Sequence, residues 1–305
     1  MKNVKFFKAL GDITRLRLVN ILLHYELSVN EIVSILEMGQ SRVSRHLKIL
    51  TDTGFLECRR DGVWAFYFIS KTGPGRELID SIKYLFDQEP LLQEDVLHAE
   101  HIVRDRKLET VRFFNEIAYK WDLLKKEILG DFNLNDTITN EITKCDVAVD
   151  LGCGTGELME KLKTAANVVI GVDSSLNMLQ MARERLDTGG DEFDLRLGEL
   201  EHLPLKNGEA DCAVISMVLH HLSKPETVIA EICRVLRKNG TLVVVDYDKH
   251  EDEDMRKRYG DRWLGFSKDE VESILTAHGF RIDRIQSFNI QKQLTLNLFK
   301  SVLSH

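Results

Sequence analysis

A glycine-rich turn and two carboxylates in the second half of the chain have the spacing of a nucleotide-binding site. Asp150 leads the run D-L-G-C-G-T-G, whose glycines are Gly152, Gly154 and Gly156. Glycines between a strand and a helix let the backbone approach a ligand at the helix N-terminus. Asp173 ends the next apolar run, 17 residues after Gly156, where a carboxylate can accept hydrogen bonds from both hydroxyls of a ribose. These residues predict the binding of a ligand that contains a nucleoside.

The first ninety residues contain two short helical patterns separated by a turn. Ser28 followed by Glu31 is a capping box, which predicts that a helix starts at Ser28. After a short turn, Ser41 is expected to cap a second helix, and Gly54 is expected to end it. Two short helices in this order are typical of a helix-turn-helix.

The second of these helices has the side chains of a DNA-reading helix. No acidic residue occurs between Gln40 and Lys48, and hydroxyl, amide and basic groups of this kind bind phosphates and base edges. The next run, C-R-R-D-G-V-W-A-F-Y-F-I, predicts a β-hairpin that turns at Asp61 and Gly62. The residues predicted to contact DNA are Gln40, Ser41, Arg42, Ser44, Arg45, His46 and Lys48 on the helix, and Arg59 and Arg60 in the hairpin.

Across about residues 5–70 these elements resemble the ArsR family of winged-helix regulators. The matching stretches are LGDITRLRLVNILL, ELSVNEI, SRVSRHLKILTDTGFL and RRDGVWAFYFI. The resemblance implies a homodimer that binds double-stranded DNA at an inverted-repeat operator and is released by an effector. Many metal-sensing members carry cysteine ligands where this chain has Ser28 and Asn30, so the family's thiolate metal site is not expected on this helix.

From Cys145 onward, strand-like apolar runs alternate with helical patterns. The runs include VAVDL, VVIGVD, CAVISMV and TLVVVDY, and their alternation with helices predicts a parallel, doubly wound sheet. The two closing runs, FRIDRIQSF and KQLTLNLFKSV, leave no room for a helix between them and should pair antiparallel.

The form of the glycine motif narrows the class of ligand. Dinucleotide sites read G-x-G-x-x-G, whereas this motif reads D-x-G-x-G-x-G. The stretches VDLGCGTGELM, GVDSSLNMLQMAR, GELEHLPLKNGEADCAVISMVLHHL and EICRVLRKNGTLVVVDYDKH resemble class I S-adenosylmethionine-dependent methyltransferases across about residues 112–290. This resemblance implies an α/β Rossmann-like fold, with a seven-stranded, mostly parallel sheet whose last strand is antiparallel. It also implies S-adenosylmethionine or S-adenosylhomocysteine as the ligand.

By matching position, the same resemblance assigns roles around the ligand. The three glycines approach the methionine moiety and Asp173 holds the ribose, while the upstream segment FFNEIAYKWDLL is similar to the family's aromatic lid. The other implied contacts are Ser174 and Met178 at the adenosine, Glu199 and Leu200 at the adenine edge, Met217 at the pocket floor, and Tyr119 and Trp121 in the lid.

Length, composition and charge agree with two functions in one chain. The 305 residues predict two domains, and 43% hydrophobic and 30% charged residues describe a globular chain that can bury a core. The net charge is −8, but residues 1–90 hold 13 Lys or Arg against 11 Asp or Glu, so the acidic excess belongs to the remainder. No apolar run approaches a membrane span and no signal peptide is recognisable, so a cytoplasmic protein is expected. Five scattered cysteines predict reduced thiols, without disulfides or a bound metal.

The expected organisation is a mostly α winged-helix domain over residues 1–76, a helical connector over 77–112 and a ligand-binding domain over 113–305. The connector has an apolar stripe that fits a partner helix and suggests dimerisation; its residues are Leu92, Val96, Ala99 and Val103. His98 and His101 beside Asp95 could ligate a metal, although one pair without a second cluster is a weak indication.

Three functions remain open from the sequence. The combination of domains is similar to bacterial ArsR-type regulators fused to a methyltransferase-like domain, which implies a repressor of methionine and methyl-cycle genes that senses S-adenosylhomocysteine or S-adenosylmethionine. The alternative is an active small-molecule methyltransferase with an autoregulatory DNA-binding domain; His220 and His221 are possible bases, but the sequence identifies no catalytic residue. A metal-gated repressor is the third, supported only by His98 and His101.

Overall fold

The computed structural model describes residues 4–187 and 193–304. The chain divides into two compact units, Met1–Leu108 and Glu109–His305. The first unit therefore includes most of the segment that the sequence predicted as a separate connector. Among the described residues, no helix combines the length and the apolar character that a membrane span requires.

The first unit is a helical domain with a small antiparallel sheet, whose strand order is β1-β3-β2. Its elements are α1 (Val4–Leu10), α2 (Ile13–His24), β1 (Leu27–Ser28), α3 (Val29–Leu36), α4 (Gln40–Thr53), β2 (Leu56–Asp61), β3 (Trp64–Ile69), α5 (Pro74–Ile82), a 3₁₀ segment (Lys83–Gln88) and α6 (Pro90–Ile117), which continues into the second unit.

The helix-turn-helix prediction is confirmed, with one correction at the start of its second helix. Ser28 caps α3, because its hydroxyl accepts from Glu31 N at 3.4 Å while Ser28 N donates to Glu31 Oε2 at 2.7 Å. The cap of α4 is Gly39, without a side-chain hydrogen bond, and Ser41 lies inside the helix. Gly54 ends α4 with a φ of 84°, as predicted.

The hairpin prediction is confirmed with its turn moved by one residue. Asp61 pairs with Trp64 across β2 and β3, so the two-residue turn is Gly62 and Val63 rather than Asp61 and Gly62. Gly62 has a φ of 56°, which a primed hairpin turn requires and glycine supplies without strain.

The apolar stripe of the predicted connector packs within its own unit. Leu92 and Ala99 on α6 are fully buried in the core formed by α1 to α4, and Val103 packs against the same core. Asp95 is also buried, and both its oxygens accept from Arg17 at 2.7 Å. The stripe therefore has an intramolecular partner and no longer supports dimerisation by itself. Pro90 is the first residue of α6, as its missing N–H allows.

The second unit is a doubly wound α/β domain, which confirms the predicted fold class. Its elements after α6 are a 3₁₀ turn (Ala118–Lys120), α7 (Trp121–Leu129), α8 (Leu134–Thr139), β4 (Cys145–Leu151), α9 (Glu157–Leu162), β5 (Ala166–Asp173), α10 (Leu176–Leu186), β6 (Asp194–Leu197), β7 (Ala210–Ser216), a 3₁₀ turn (Leu219–His221), α11 (Pro225–Val235), β8 (Leu236–Tyr247), α12 (Asp254–Tyr259), α13 (Lys268–Ala277), β9 (Phe280–Asn289), a 3₁₀ turn (Gln291–Gln293) and β10 (Thr295–Leu303).

The sheet of this unit has seven strands in the order β6-β5-β4-β7-β8-β10-β9. The strands from β6 to β8 are parallel, and β10 lies antiparallel to both β8 and β9. Strand order reverses at β4, which pairs with β5 on one side and β7 on the other. In open α/β sheets, ligands bind at the carboxyl ends of the strands beside such a reversal.

Candidate functional site

The glycine motif forms the turn between β4 and α9, at the point where the strand order reverses. Gly152, Gly154 and Gly156 have φ values of 74°, 53° and 78°, a conformation that other L-residues rarely adopt. A Cβ on Gly152 would lie 2.6 Å from Val218 Cγ2, so close packing requires glycine there as well. The loop therefore exposes backbone rather than side chains at the end of the central strand.

Asp173 joins the end of β5 to the glycine loop. Its Oδ2 accepts from Gly154 N at 2.9 Å and its Oδ1 accepts from Ser175 N at 2.8 Å. Burial raises the pKa of this carboxyl, against the opposing effect of the backbone amides that donate to it. Each carboxylate oxygen can accept more than one hydrogen bond, so this arrangement fixes Asp173 and leaves it able to accept from hydroxyl groups.

Asp150 is a buried carboxylate at the end of β4. The residue is 3% exposed, and its Oδ2 has no hydrogen-bond partner among the described residues. Burial raises the pKa of Asp150 to about 7, while Lys125 lowers it and Asp173 raises it further. A buried acceptor without a partner is costly, so this atom marks a place for a donor such as an ammonium group.

The predicted lid brings Trp121 to the glycine loop and leaves Tyr119 outside it. The Trp121 Nε1 atom lies 3.6 Å from the place that a Cβ on Gly154 would take, and the ring packs edge-on against Phe114 with centroids 5.4 Å apart. Tyr119 is 66% exposed. Of the two residues predicted for the lid, only Trp121 is therefore at the loop.

Polar contacts fasten α7 to the loop. Thr155 Oγ1 donates to Asp122 Oδ1 at 2.7 Å, and Arg185 donates both to Asp122 and to the carbonyl of Thr155. Lys125 also pairs with Glu157 on α9 at 2.7 Å. These contacts connect α7 to the glycine loop and to α9.

The other predicted pocket residues lie just after β5, β6 and β7, except Met178, which lies in the first turn of α10. Met178 and Leu200 are buried, whereas Ser174 and Glu199 are exposed. Met217 follows β7 with a φ of 60° and donates its N–H to Val245 O at 2.8 Å. A non-glycine residue in this region is strained, and such strain is frequent at ligand sites.

The sequence did not identify Asn115 and Ser175 as part of this site. Ser175 caps α10, because its hydroxyl accepts from Met178 N at 3.1 Å. Its hydroxyl also donates to Asn115 Oδ1 at 2.8 Å, and Asn115 accepts from Asn177 as well. The position of Ser175 just before a helix was a visible capping signal, but the contact with Asn115 lies 60 residues away and has no local sequence signature.

His220 and His221 lie beside the lid in a buried polar cluster. His220 Nδ1 is 2.6 Å from Asp246 Oδ1, and its Nε2 is 3.6 Å from Asp261 Oδ1. Burial lowers the pKa of His220, but the two carboxylates raise it by more. Burial raises the pKa of Asp261 to about 7, and burial together with His220 lowers the pKa of His221. The His221 ring packs against Phe114, with centroids 4.8 Å apart.

On α4, the structure exposes six of the seven side chains predicted to contact DNA. Val43, Leu47 and Leu50 form the buried face, and the exposed residues are Gln40, Ser41, Arg42, Ser44, Arg45 and Lys48.

His46 departs from the prediction, because it is 9% exposed and its Nδ1 lies 3.8 Å from Asp12 Oδ1. Burial lowers the pKa of His46, so a neutral ring that packs inside the unit is expected. In the hairpin, Arg60 is exposed, whereas Arg59 is partly buried and pairs with Glu26 at 3.1 Å.

Two family models match the chain, one in each unit. Residues 12–57 match the bacterial regulatory proteins of the arsR family, and residues 149–244 match the methyltransferase domain. The chain therefore joins an ArsR-family helix-turn-helix to a methyltransferase domain. The methyltransferase match runs from β4 into β8, and so covers the glycine loop, Asp173 and Met217.

Curated relatives match parts of this ArsR-methyltransferase chain. An uncharacterised 37.1 kDa protein in a transposon of Streptomyces fradiae is 40% identical over 104 residues, which cover 33% of this chain and 30% of that protein. The demethylmenaquinone methyltransferase of Thermotoga maritima is 28% identical over 148 residues, 46% of this chain and 62% of the enzyme. The chain thus spans less than two thirds of either relative.

Solved structures support the fold of the methyltransferase domain. An S-adenosylmethionine-dependent methyltransferase from Aquifex aeolicus has a TM-score of 0.51 at 20% identity, covering 62% of this chain and 98% of that one. The YcgJ protein from Bacillus subtilis has a TM-score of 0.50 at 16% identity, covering 56% and 98%. At these identities the likeness establishes a common fold.

Proposed function

We propose that the protein is a DNA-binding transcriptional repressor whose methyltransferase domain binds S-adenosylhomocysteine or S-adenosylmethionine as an effector. The observation that carries the proposal is that one chain holds both a recognition helix whose exposed side chains over residues 40–48 include no acid, and a glycine-loop pocket with the buried carboxylate of Asp150 and the partly buried carboxylate of Asp173. A regulator of methionine and methyl-cycle genes would use such a ligand, because its concentration reports the state of methyl metabolism. The active form is proposed to be a homodimer, since two recognition helices about one DNA turn apart read an inverted repeat.

The pocket residues fit an adenosyl ligand by their chemistry. Asp173 is held by backbone amides at the position where it would accept from the ribose hydroxyls. Asp150 has a buried oxygen without a partner, which the amino group of the methionine or homocysteine moiety would supply with a donor. Trp121 at Gly154 would cover the ligand from the lid side. Each group would thus meet a complementary part of the ligand.

The long helix α6 supplies a route for coupling. In the first unit, Arg106 on α6 pairs at 2.9 Å with Glu31, the residue that completes the cap of α3. In the second unit, Asn115 near the end of α6 binds Ser175 and Asn177 at the start of α10, one turn from Asp173. A ligand that rearranges the start of α10 would act on the same helix that holds the helix-turn-helix. We propose this continuity as the origin of the effector response.

An active small-molecule methyltransferase is the second candidate. It is favoured by the identity shared with named methyltransferases, including the ubiquinone/menaquinone biosynthesis C-methyltransferase UbiE of Hahella chejuensis, which is 28% identical over 166 residues. When bound, S-adenosylmethionine supplies an electrophilic methyl group to an in-line nucleophile, and positioning with exclusion of water provides much of the rate. Here Trp121 and Phe114 would exclude water, and the contacts between Asp122, Thr155 and Arg185 would hold the loop.

Fluorescence anisotropy on DNA from upstream of the protein's own gene tests the proposal at fixed ionic strength. The wild type should bind specifically, and S-adenosylhomocysteine or S-adenosylmethionine should change its DNA affinity by more than about fivefold, equivalent to about 1 kcal/mol of coupling. Arg45→Ala should weaken DNA binding by about 1 to 3 kcal/mol, whereas Lys83→Ala, which removes a charge outside α4 and the hairpin, should not.

Asp173→Ala should leave unliganded DNA affinity intact and weaken the adenosyl ligand by about 1.5 to 3 kcal/mol. Collapse of DNA binding in a folded Asp173→Ala variant would contradict the division of roles. Tight DNA binding that neither ligand changes, together with transfer of labelled methyl groups to a cell-extract component, would establish the second candidate instead.

A further inference from the structure

The side chains of His220, His221 and Asp261 converge in the second unit. One donor atom from each lies within 4.8 Å of the other two. His220 and Asp261 are 2% and 5% exposed. The two Asp261 oxygens and His221 Nε2 are buried and have no hydrogen-bond partner among the described residues. Buried polar atoms of this kind are costly unless something satisfies them.

Each imidazole is oriented through its Nδ1 atom, which leaves its Nε2 atom available. His220 Nδ1 lies 2.6 Å from Asp246 Oδ1, and His221 Nδ1 lies 3.1 Å from the carbonyl oxygen of Gly260. With the proton on Nδ1, each ring keeps an Nε2 lone pair free; that of His220 lies 3.6 Å from Asp261 Oδ1, and His221 Nε2 has no hydrogen-bond partner among the described residues. A carboxylate or carbonyl acceptor behind a histidine is the arrangement that positions metal-ligating imidazoles in proteins.

We propose that His220, His221 and Asp261 bind a divalent transition-metal cation, with Asp246 and the carbonyl of Gly260 orienting the two imidazoles. Two neutral nitrogens and one carboxylate suit zinc or ferrous iron, and three protein ligands leave open coordination positions. The 3.6 Å between His220 Nε2 and Asp261 Oδ1 is close to the roughly 3.4 Å between ligands of a tetrahedral ion with bonds of about 2.1 Å. The other distances between donor atoms reach at most 4.8 Å and would have to shorten by up to about 1.4 Å to reach that separation.

The surroundings of this site indicate where a further ligand of the cation could bind. The His221 ring packs against Phe114, which packs against Trp121 of the lid. A cation held by His221 would therefore lie beside Phe114 and one ring away from Trp121, and an oxygen or nitrogen donor of a small molecule could complete its coordination there. This inference is independent of the regulatory role, because binding of the metal is measured without DNA or adenosyl ligand.

Titration of the metal-stripped, full-length protein with Co²⁺ tests the proposal, because the visible spectrum reports the donor atoms. The wild type should bind one Co²⁺ per chain with the spectrum of nitrogen and oxygen ligands and without thiolate charge-transfer bands. Asp261→Asn and His221→Gln should each weaken binding by at least about tenfold, and Asp246→Asn should weaken it by about 10- to 100-fold. Zn²⁺ should raise the unfolding temperature of the wild type, and a chelator should reverse this.

The matched control is the double variant His98→Ala/His101→Ala, which removes an exposed histidine pair in the first unit. It should bind Co²⁺ like the wild type. Loss of binding in this control, a thiolate spectrum, or wild-type affinity in folded Asp261→Asn and His221→Gln would overturn the proposal. If the variants at buried positions do not fold, the Co²⁺ spectra of the wild type and of the control still test the proposal. Nitrogen and oxygen coordination that is retained in the control supports the site, and loss of that coordination in the control refutes it.

Discussion

At the scale of single residues, Asp150 links the pocket to the stability of the protein. Its pKa is about 7 in the folded chain against an ordinary value of 3.8, so folding takes up a proton between about pH 4 and pH 7. The folded state is therefore favoured at the low end of this window, and stability falls as the pH rises through it. Above pH 7 the buried charge costs on the order of a few kcal/mol, which a ligand ammonium would offset.

Asp150→Asn should remove this cost. We expect the unliganded variant to unfold at a higher temperature than the wild type at pH 8, with the difference shrinking as the pH is lowered toward 5, because the wild-type carboxyl becomes protonated. Differential scanning calorimetry across this pH range provides the measurement. The control is Asp146→Asn, at an exposed position of the same strand. Two results would contradict this prediction: the same difference in unfolding temperature at all pH values, or a variant less stable than the wild type at pH 8. Either would show that neighbouring groups already stabilise the charged form of Asp150.

The lid residues make a second prediction at this scale. Trp121 contacts the glycine loop, while Tyr119 is two thirds exposed. Trp121→Ala should therefore weaken S-adenosylhomocysteine binding by about tenfold or more, since it removes a large apolar cover from the pocket, whereas Tyr119→Ala should change it less than twofold. Isothermal titration calorimetry measures the affinity of each variant for S-adenosylhomocysteine. Equal losses of affinity in both variants would contradict the assignment of Trp121 as the lid residue.

The residues also show where sequence patterns stop being informative. The spacing of the glycines, Asp150 and Asp173 was sufficient to predict the loop, because that geometry is local and few residue types satisfy it. His46 follows the polar pattern of its helix but is buried against Asp12, the residue that caps α2, so the contact joins segments that are distant in sequence. The cluster of His220, Asp246 and Asp261 likewise forms only when three distant segments fold together, so sequence spacing could not reveal it.

At the scale of elements, local signals predicted the kind of element better than its boundaries. The capping box of α3 and the glycine that ends α4 are short-range features, and both are present as predicted. The start of α4 and the hairpin turn were each displaced, because one Ser or Asp near a turn does not determine which residue takes the cap. The stripe on α6 was recognised correctly as apolar, but helical spacing cannot tell a neighbour in the same chain from a partner subunit.

The contact between α6 and α10 predicts how the effector response can be separated from binding. Asn115→Ala removes the side-chain acceptor for Ser175 and Asn177 without touching the glycine loop. We expect unliganded DNA affinity to be unchanged and ligand affinity to stay within about threefold, while the ligand's effect on DNA affinity falls below twofold. Anisotropy titrations with and without S-adenosylhomocysteine supply the comparison. Glu116→Ala, at an exposed neighbouring position, should behave like the wild type. The same loss of coupling in Glu116→Ala would show that the effect does not depend on the Asn115 contacts.

At the scale of the whole molecule, charge is distributed unevenly along the chain. The chain carries a net charge of −8, yet the exposed side chains of α4 over residues 40–48 are basic or neutral and polar. The acidic Asp52 lies in the last turn of the helix and pairs with Lys48 at 3.3 Å. Binding to DNA must therefore depend on a local basic surface and should weaken steeply with salt. The acidic remainder of the chain would repel DNA from the methyltransferase domain, which suits a pocket that recognises a small ligand.

Thermodynamic linkage gives the most direct test of the central claim that this pocket controls DNA binding. If S-adenosylhomocysteine changes DNA affinity by a given factor, DNA must change S-adenosylhomocysteine affinity by the same factor. We would measure the dissociation constant of this ligand by isothermal titration calorimetry, with and without saturating operator DNA at one ionic strength. We expect a difference of more than about fivefold that equals the shift in DNA affinity. The same dissociation constant with and without DNA would show that the two units act independently.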